Sequence, residues 1–186
     1  MRIQYNSPVI LTFTLICVAV LALHEHIIPG LMELFTVYPG QSMTDPVTYF
    51  RFVSHAIGHA NWPHLVGNFT LILLIGPILE EKYGSQDIFI MMLVTALITG
   101  VLQFFFFQTG LLGASGIVFM LIILSSFSNY QAGTIPLTFI IIAILFMGQE
   151  IVSALGAEDG VSQFAHIMGG ICGGLFGFSL EKRKAK

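Results

Sequence analysis

Ser115 lies in the run Gly113-Ala114-Ser115-Gly116, and His166 lies in Ala165-His166-Ile167-Met168-Gly169-Gly170, each where a long apolar segment begins. A serine hydroxyl is a poor nucleophile until an adjacent base takes its proton, so a serine paired with a histidine supplies the minimum for acyl transfer. Burying either group in hydrocarbon costs free energy unless it finds a partner, which makes such residues functional candidates by default. His64 and Asn68 are four residues apart and therefore share one helix face. Taken alone, Asn68 is better read as an interhelical hydrogen bond that holds a bundle together; beside His64, Ser115 and His166 that is the worse reading.

The elements that must position these residues are set by composition. The chain has 186 residues, 55% hydrophobic and only 9% charged, the profile of an integral membrane protein rather than a soluble globule. One domain over residues 1–186, with no added soluble domain, is the expectation. Cys17 and Cys172 both fall inside apolar segments, so they read as small buried hydrophobes and imply no disulfide framework. A net charge of −3 argues against a nucleic-acid partner.

Crossing hydrocarbon takes about 20 predominantly apolar residues in a helix. Six segments qualify: Pro8 to Ile28, Trp62 to Ile78, Ile88 to Phe107, Ser115 to Phe127, Ile135 to Leu155 and Phe164 to Leu180. The fourth is short, and non-helical backbone before it is tolerable only inside protein or a watery cavity. The first follows Arg2 but shows only a weak cleavage pattern, so it is kept as a retained helix rather than a signal peptide. Arg2, Lys82, Lys182, Arg183, Lys184 and Lys186 fall on one side of a six-span frame and only Arg51 on the other, which makes both termini cytoplasmic.

With that orientation, spans two, four and six start at the outer face, and His64, Asn68, Ser115 and His166 share one depth. Span six adds a ridge of small residues, Ala165, Gly169, Gly173 and Gly177, beside a second one of His166, Gly170 and Gly174. Such ridges let two helix backbones approach closely in a membrane. By themselves they are better read as packing devices than as chemistry.

The order and spacing of these features, from Phe50 to Gly177, resemble the rhomboid family of intramembrane serine proteases. The resemblance is carried by Phe50-Arg51, His55-Ala56-Ile57-Gly58-His59, His64-x-x-x-Asn68, Glu80 with Gly84-Ser85, Gly113-Ala114-Ser115-Gly116 and Ala165-His166 with its following glycines. It implies an all-α, six-transmembrane-helix bundle whose short fourth helix is surrounded by the others. It also implies a catalytic dyad, with Ser115 as nucleophile and His166 as general base and acid. His64 and Asn68, with the Ser115 backbone N–H, would form the oxyanion hole, supported by Gly113, Gly116, Phe119 and His59. Phe119 stands where many relatives have a tyrosine packed on the histidine ring, so ring packing is retained and a phenolic hydrogen bond is not.

The implied activity is hydrolysis of peptide bonds in or near transmembrane segments of single-span proteins, without metal or cofactor, in the inner membrane of a prokaryotic cell. His55, His59 and His64 admit a metal-site reading, which lacks a carboxylate or thiol partner. Carboxylates at a helix end, such as Glu80 and Glu81, most simply read as solvated charges, but the resemblance implies that Glu80 ties neighbouring helices together. In the fifth loop, Gly156 to Ser162, Glu158 and Asp159 read as solvated charges on a segment suited to act as a cap. His24 and His26 read as interfacial. Two rival functions remain. A catalytically silent rhomboid-like binder would normally lack the serine or the histidine. A small channel or transporter would commonly show an internal repeat.

Overall fold

The protein was analysed as a computed structural model, which describes residues 4–127, 134–148 and 161–184. Within these residues the regular structure is helical, with one isolated bridge between Val37 and Leu111. The elements are α1 (Pro8–His26), α2 (Pro46–Ser54), α3 (Trp62–Tyr83), α4 (Ser85–Phe106), α5 (Ser115–Ser125), α6 (Leu137–Ile142), which continues as a π-helical turn over Ala143–Met147, and α7 (Val161–Lys184). The predicted fifth span beyond Gly148, the loop residues Gly156, Glu158, Asp159 and Gly160, and Arg2 and Lys186 lie outside the described residues.

Helices α1, α3 and α4, and the Gln163–Leu180 part of α7, are long and apolar enough to cross a membrane. Their outward side chains are largely apolar: Leu74 on α3 and Leu175 on α7, for instance, are 66% and 62% exposed, an arrangement suited to a hydrocarbon solvent. Helix α3 runs on past the predicted end at Ile78 to Tyr83, and α4 begins earlier than predicted, at Ser85. The charge of Glu80 ends the hydropathy signal, yet that side chain is only 3% exposed. Its two oxygens accept the N–H groups of Val9 and Ile10, each at 3.0 Å, and the Ser85 hydroxyl at 2.6 Å. No side chain caps α1 from within its own sequence, so a carboxylate from α3 meets donors that a helix start leaves orphaned.

Helix α5 is buried on every side, from Gly116 and Ile117 through Met120 and Leu121 to Leu124. An apolar, enclosed helix of this kind belongs at the centre of a bundle. Its 11 residues span about 16 Å, roughly half the hydrocarbon thickness. The irregular backbone just before it, from Leu111 to Ala114, is largely buried, and its polar groups need partners. They have them: Leu111 and Val37 exchange both N–H to O=C bonds at 2.9 and 3.0 Å, Gly113 N–H donates to the His55 carbonyl at 2.9 Å, and the Gln103 amide donates to the Thr109 carbonyl at 2.7 Å. At the other end, Lys82 Nζ donates to the Phe127 carbonyl at 2.7 Å, a cation placed at a helix C-terminus.

The segment between α1 and α3 supplies two of those partners, Val37 and His55, and is itself pinned. Asp45 caps α2 by accepting from Val47 N–H, with Pro46 at the first helical position. Arg51 Nε donates to the Glu33 carbonyl at 2.8 Å, and Ser54 Oγ to that of Leu34 at 2.9 Å. Gly100 lets the Phe52 backbone lie directly on α4, because a Cβ there would collide with the Phe52 carbonyl.

Candidate active site

Ser115 is the first residue of α5 and is half-buried. No side chain caps this helix start, so its leading N–H groups are a backbone donor site of the kind that favours negative charge. Ser115 borders a cavity of about 10 Å³ whose walls include His55, Thr99, Gly113, Gly116 and Ala165. Gly113 adopts φ +125°, a backbone conformation that L side chains rarely occupy. A Cβ there would also lie 2.8 Å from His64 Cε1 and 2.9 Å from His64 Nε2. The glycine thus lets the imidazole of His64 close directly over the turn that presents Ser115.

The hydrogen bonds around His64 and His59 assign their tautomers. Ala60 N–H points at His64 Nδ1 at 3.5 Å, which makes Nδ1 the acceptor and leaves the proton on Nε2, the nitrogen that overhangs Gly113. His59 Nδ1 faces the Ile57 carbonyl at 3.0 Å and must donate to it. His59 Nε2, 3.1 Å from Asn68 Nδ2, is then an acceptor, so Asn68 presents its amide N–H groups rather than its oxygen. Burial pushes the His59 imidazole down to about 4, reinforced by nearby His64 and opposed by the Ile57 bond. A neutral ring is what this arrangement requires. The ring centroids of His59 and His64 are 5.1 Å apart.

His55 is similarly committed. Its Nε2 donates to the Ala96 carbonyl at 3.0 Å, and burial lowers its pKa to about 4. With His55 and His59 bonded to backbone carbonyls and His59 also bonded to Asn68, the metal reading gains no support. No three His, Cys, Asp or Glu side chains converge as metal ligands among the described residues.

His166 lies on α7, half-buried, with its ring stacked on Phe119 at a centroid distance of 4.3 Å and an interplanar angle of 6°. The glycine ridge of α7 faces α5. A Cβ on Gly169 would strike the Gly116 carbonyl, one on Gly173 the Met120 carbonyl, and one on Gly177 the Phe127 ring. The neighbour that the small-residue ridge anticipates is therefore the serine's own helix. His166 also lies within electrostatic reach of His64.

Ser115, Gly113, Gly116 and Ala165 thus meet in one cavity, with His64 and Asn68 above Gly113, His59 behind Asn68, and His166 against Phe119. Thr99 and Gln103, both buried in α4, escaped the sequence reading. Two polar side chains one turn apart inside an apolar span were the available signal. Lys82 was read only for its charge, not as a partner of α5.

A family model described as the rhomboid domain matches residues 46–183. The chain is 26% identical over 145 residues to Rhomboid protease GlpG of Haemophilus influenzae, covering 76% of this chain and 74% of that protein. It is 25% identical over 183 residues to Rhomboid protease GlpG of Serratia proteamaculans, covering 96% of this chain and 65% of that protein. A plant relative, RHOMBOID-like protein 4 of Arabidopsis thaliana, is 32% identical over 126 residues, covering 66% of this chain and 32% of the relative. The chain accordingly spans about three quarters of the first relative and just under two thirds of the second.

Proposed function

Because the chain belongs to the rhomboid family, we propose that it is an intramembrane serine endopeptidase that hydrolyses peptide bonds in or near transmembrane segments of other membrane proteins. One observation carries the reading. Helices α5 and α7 pack backbone to backbone at Gly116 and Gly169, next to Ser115 on one helix and His166 on the other, with Phe119 flat against the imidazole.

In this mechanism Ser115 Oγ attacks the scissile carbonyl carbon as His166 takes its proton. The carbonyl oxygen becomes an oxyanion, stabilised by the Ser115 backbone N–H, His64 Nε2–H and an Asn68 amide N–H. Donors fixed before reaction are commonly the largest catalytic contribution. Collapse of this intermediate breaks the C–N bond, and His166 returns the proton to the departing amine. Water then attacks the acyl-serine with His166 again as base, releasing the carboxylate product and restoring the hydroxyl. Gly113, Gly116, Phe119 and His59 act by position. No cofactor is required by these steps.

The frame we assign is six spans, with α5 as the short fourth, both termini cytoplasmic, and the protein in the inner membrane. Substrates are single-span proteins whose helix opens near the outer face. Incubating the purified chain in liposomes with tagged single-span substrates and mapping the fragments by mass spectrometry tests this. Ser115→Ala should abolish cleavage while leaving the fold intact, and a fluorophosphonate should label Ser115 but not when His166→Ala is introduced. Cleavage that survives Ser115→Ala overturns the assignment.

A further inference from the structure

Two cavities that Ser115 does not line meet at the start of α1. One is an apolar crevice of about 410 Å³ between α1 and α4, lined along α1 by Pro8, Val9, Thr12, Phe13 and Ile16 and across from them by residues such as Leu93. It follows α1 for about 12 Å. Ala56, Ala96 and Ile117 line it too, and they also wall the small cavity beside Ser115. The other is a polar groove of about 600 Å³ bounded by residues 4–8 and the end of α3, including Asn6, Ser7, Glu80, Glu81 and Ser85. Pro8 lines both, and the Tyr5 hydroxyl of the groove bonds the Thr12 hydroxyl of the crevice at 3.0 Å.

Each half suits a different part of one molecule. A crevice of this volume between membrane spans has the size of a small-molecule site, and its lining is apolar except for the Thr12 hydroxyl, which is bonded to Tyr5. The groove has hydroxyl and amide groups for a phosphate, and its charge is acidic: none of its described lining residues is basic. The cation of that helix end, Lys82, is turned away to the Phe127 carbonyl. Glu80 is committed to Val9, Ile10 and Ser85, whereas Glu81 is exposed at the groove.

We propose that this joined cavity binds one phospholipid with an amine-bearing, zwitterionic head group of the phosphatidylethanolamine type. One acyl chain lies in the crevice, and the ammonium lies at Glu81. The site rests on the membrane-protein reading but not on the serine chemistry, so a Ser115→Ala background tests it without proteolysis.

The test is native mass spectrometry of the purified full chain with equimolar phosphatidylethanolamine and phosphatidylglycerol carrying identical acyl chains. The expected result is one retained phosphatidylethanolamine per chain, preferred about fivefold, the ratio that a single partly exposed ion pair supports. Glu81→Lys should invert the preference, and Leu93→Trp, which fills the crevice, should abolish retention of both lipids. Ile16→Trp is the second crevice variant if Leu93→Trp does not fold, with circular dichroism melts reporting folding. Equal retention of the two lipids, an unchanged preference in Glu81→Lys, or undiminished retention in the folded crevice variant each overturns the proposal.

Discussion

The carbonyl of Gly116 occupies the space into which residue 169 would project a Cβ, so α5 and α7 meet without a side chain between them. The contact lies one residue from Ser115 and three from His166, which makes the separation of those two residues depend on a missing methyl group. Gly169→Ala must therefore push the helices apart. In liposomes it should lower cleavage at least tenfold, since small displacements of reacting groups are costly, and lower the melting temperature through overpacking. Gly67→Ala on α3 is the matched control: nothing lies within 4 Å of that position. It should leave activity unchanged and stability within about 1 kcal/mol. Equal cleavage by the two variants would refute the positional argument.

The stacked pair of Phe119 and His166 offers a graded test. Phe119→Leu keeps an apolar side chain but removes the ring face, which is worth about 0.5–1.5 kcal/mol. The expected loss in kcat/KM is roughly threefold to tenfold. Phe119→Tyr retains the stack and adds a hydroxyl, and should equal or modestly exceed the native rate. Steady-state kinetics on one fluorogenic transmembrane substrate distinguishes these outcomes from a site indifferent to the ring.

Asn68 is oriented by His59, so the two should act as a unit rather than independently. Asn68→Ala removes a proposed oxyanion donor and should cost about 100-fold in kcat. His59→Ala leaves the amide present but free to rotate and should cost less. Because the second change has little left to disturb once Asn68 is gone, the double variant should resemble Asn68→Ala alone. Additive losses would show that the His59 to Asn68 bond has no part in catalysis.

Much of this arrangement was legible in the sequence, for a definable reason. Long apolar runs mark α1, α3, α4 and α7 because a membrane leaves the backbone few alternatives to a helix. The chemistry-bearing residues stand out because polar groups are rare in such runs. What was hidden are bonds between residues distant in sequence. The resemblance marks Glu80 as a tie between helices, but not that its partners are the N–H groups of Val9 and Ile10 at the start of α1. His59 and Asn68, nine residues apart across a turn, share no periodicity. Helix α2 carries a start signal, Asp45-Pro46, that went unread because it is too local to stand out in a hydropathy reading. The docking of that segment, through the His55 carbonyl and Gly113, depends on the backbone alone.

Glu80 should matter to stability more than to chemistry. Glu80→Ala removes three hydrogen bonds to a buried carboxylate and leaves two N–H groups of α1 without it, a cost of about 2–4 kcal/mol. Glu80→Gln keeps the shape and one acceptor oxygen, and should fall between the two. Melting temperature in detergent should follow that order, while the folded fraction of each variant cleaves at close to the native rate. A rate loss beyond the folded fraction would instead tie α1 to the site.

Acid should loosen the fold through the two buried imidazoles. In the folded chain, burial holds His55 and His59 down to about 4, while in the unfolded chain each would titrate near the ordinary 6.5. Between those values the unfolded chain binds more protons than the folded one, so stability falls as pH drops from about 6.5 toward 4, and is flat above 7. From pH 7 to pH 5 each histidine contributes a loss on the order of 2 kcal/mol. Melting temperature should therefore decline over this window, and the decline should be shallower in His59→Gln, whose amide does not titrate. His59→Gln would itself be less stable at pH 7, so the slope against pH, not the absolute value, decides. A slope unchanged by this substitution would mean that His59 is not held neutral by its surroundings.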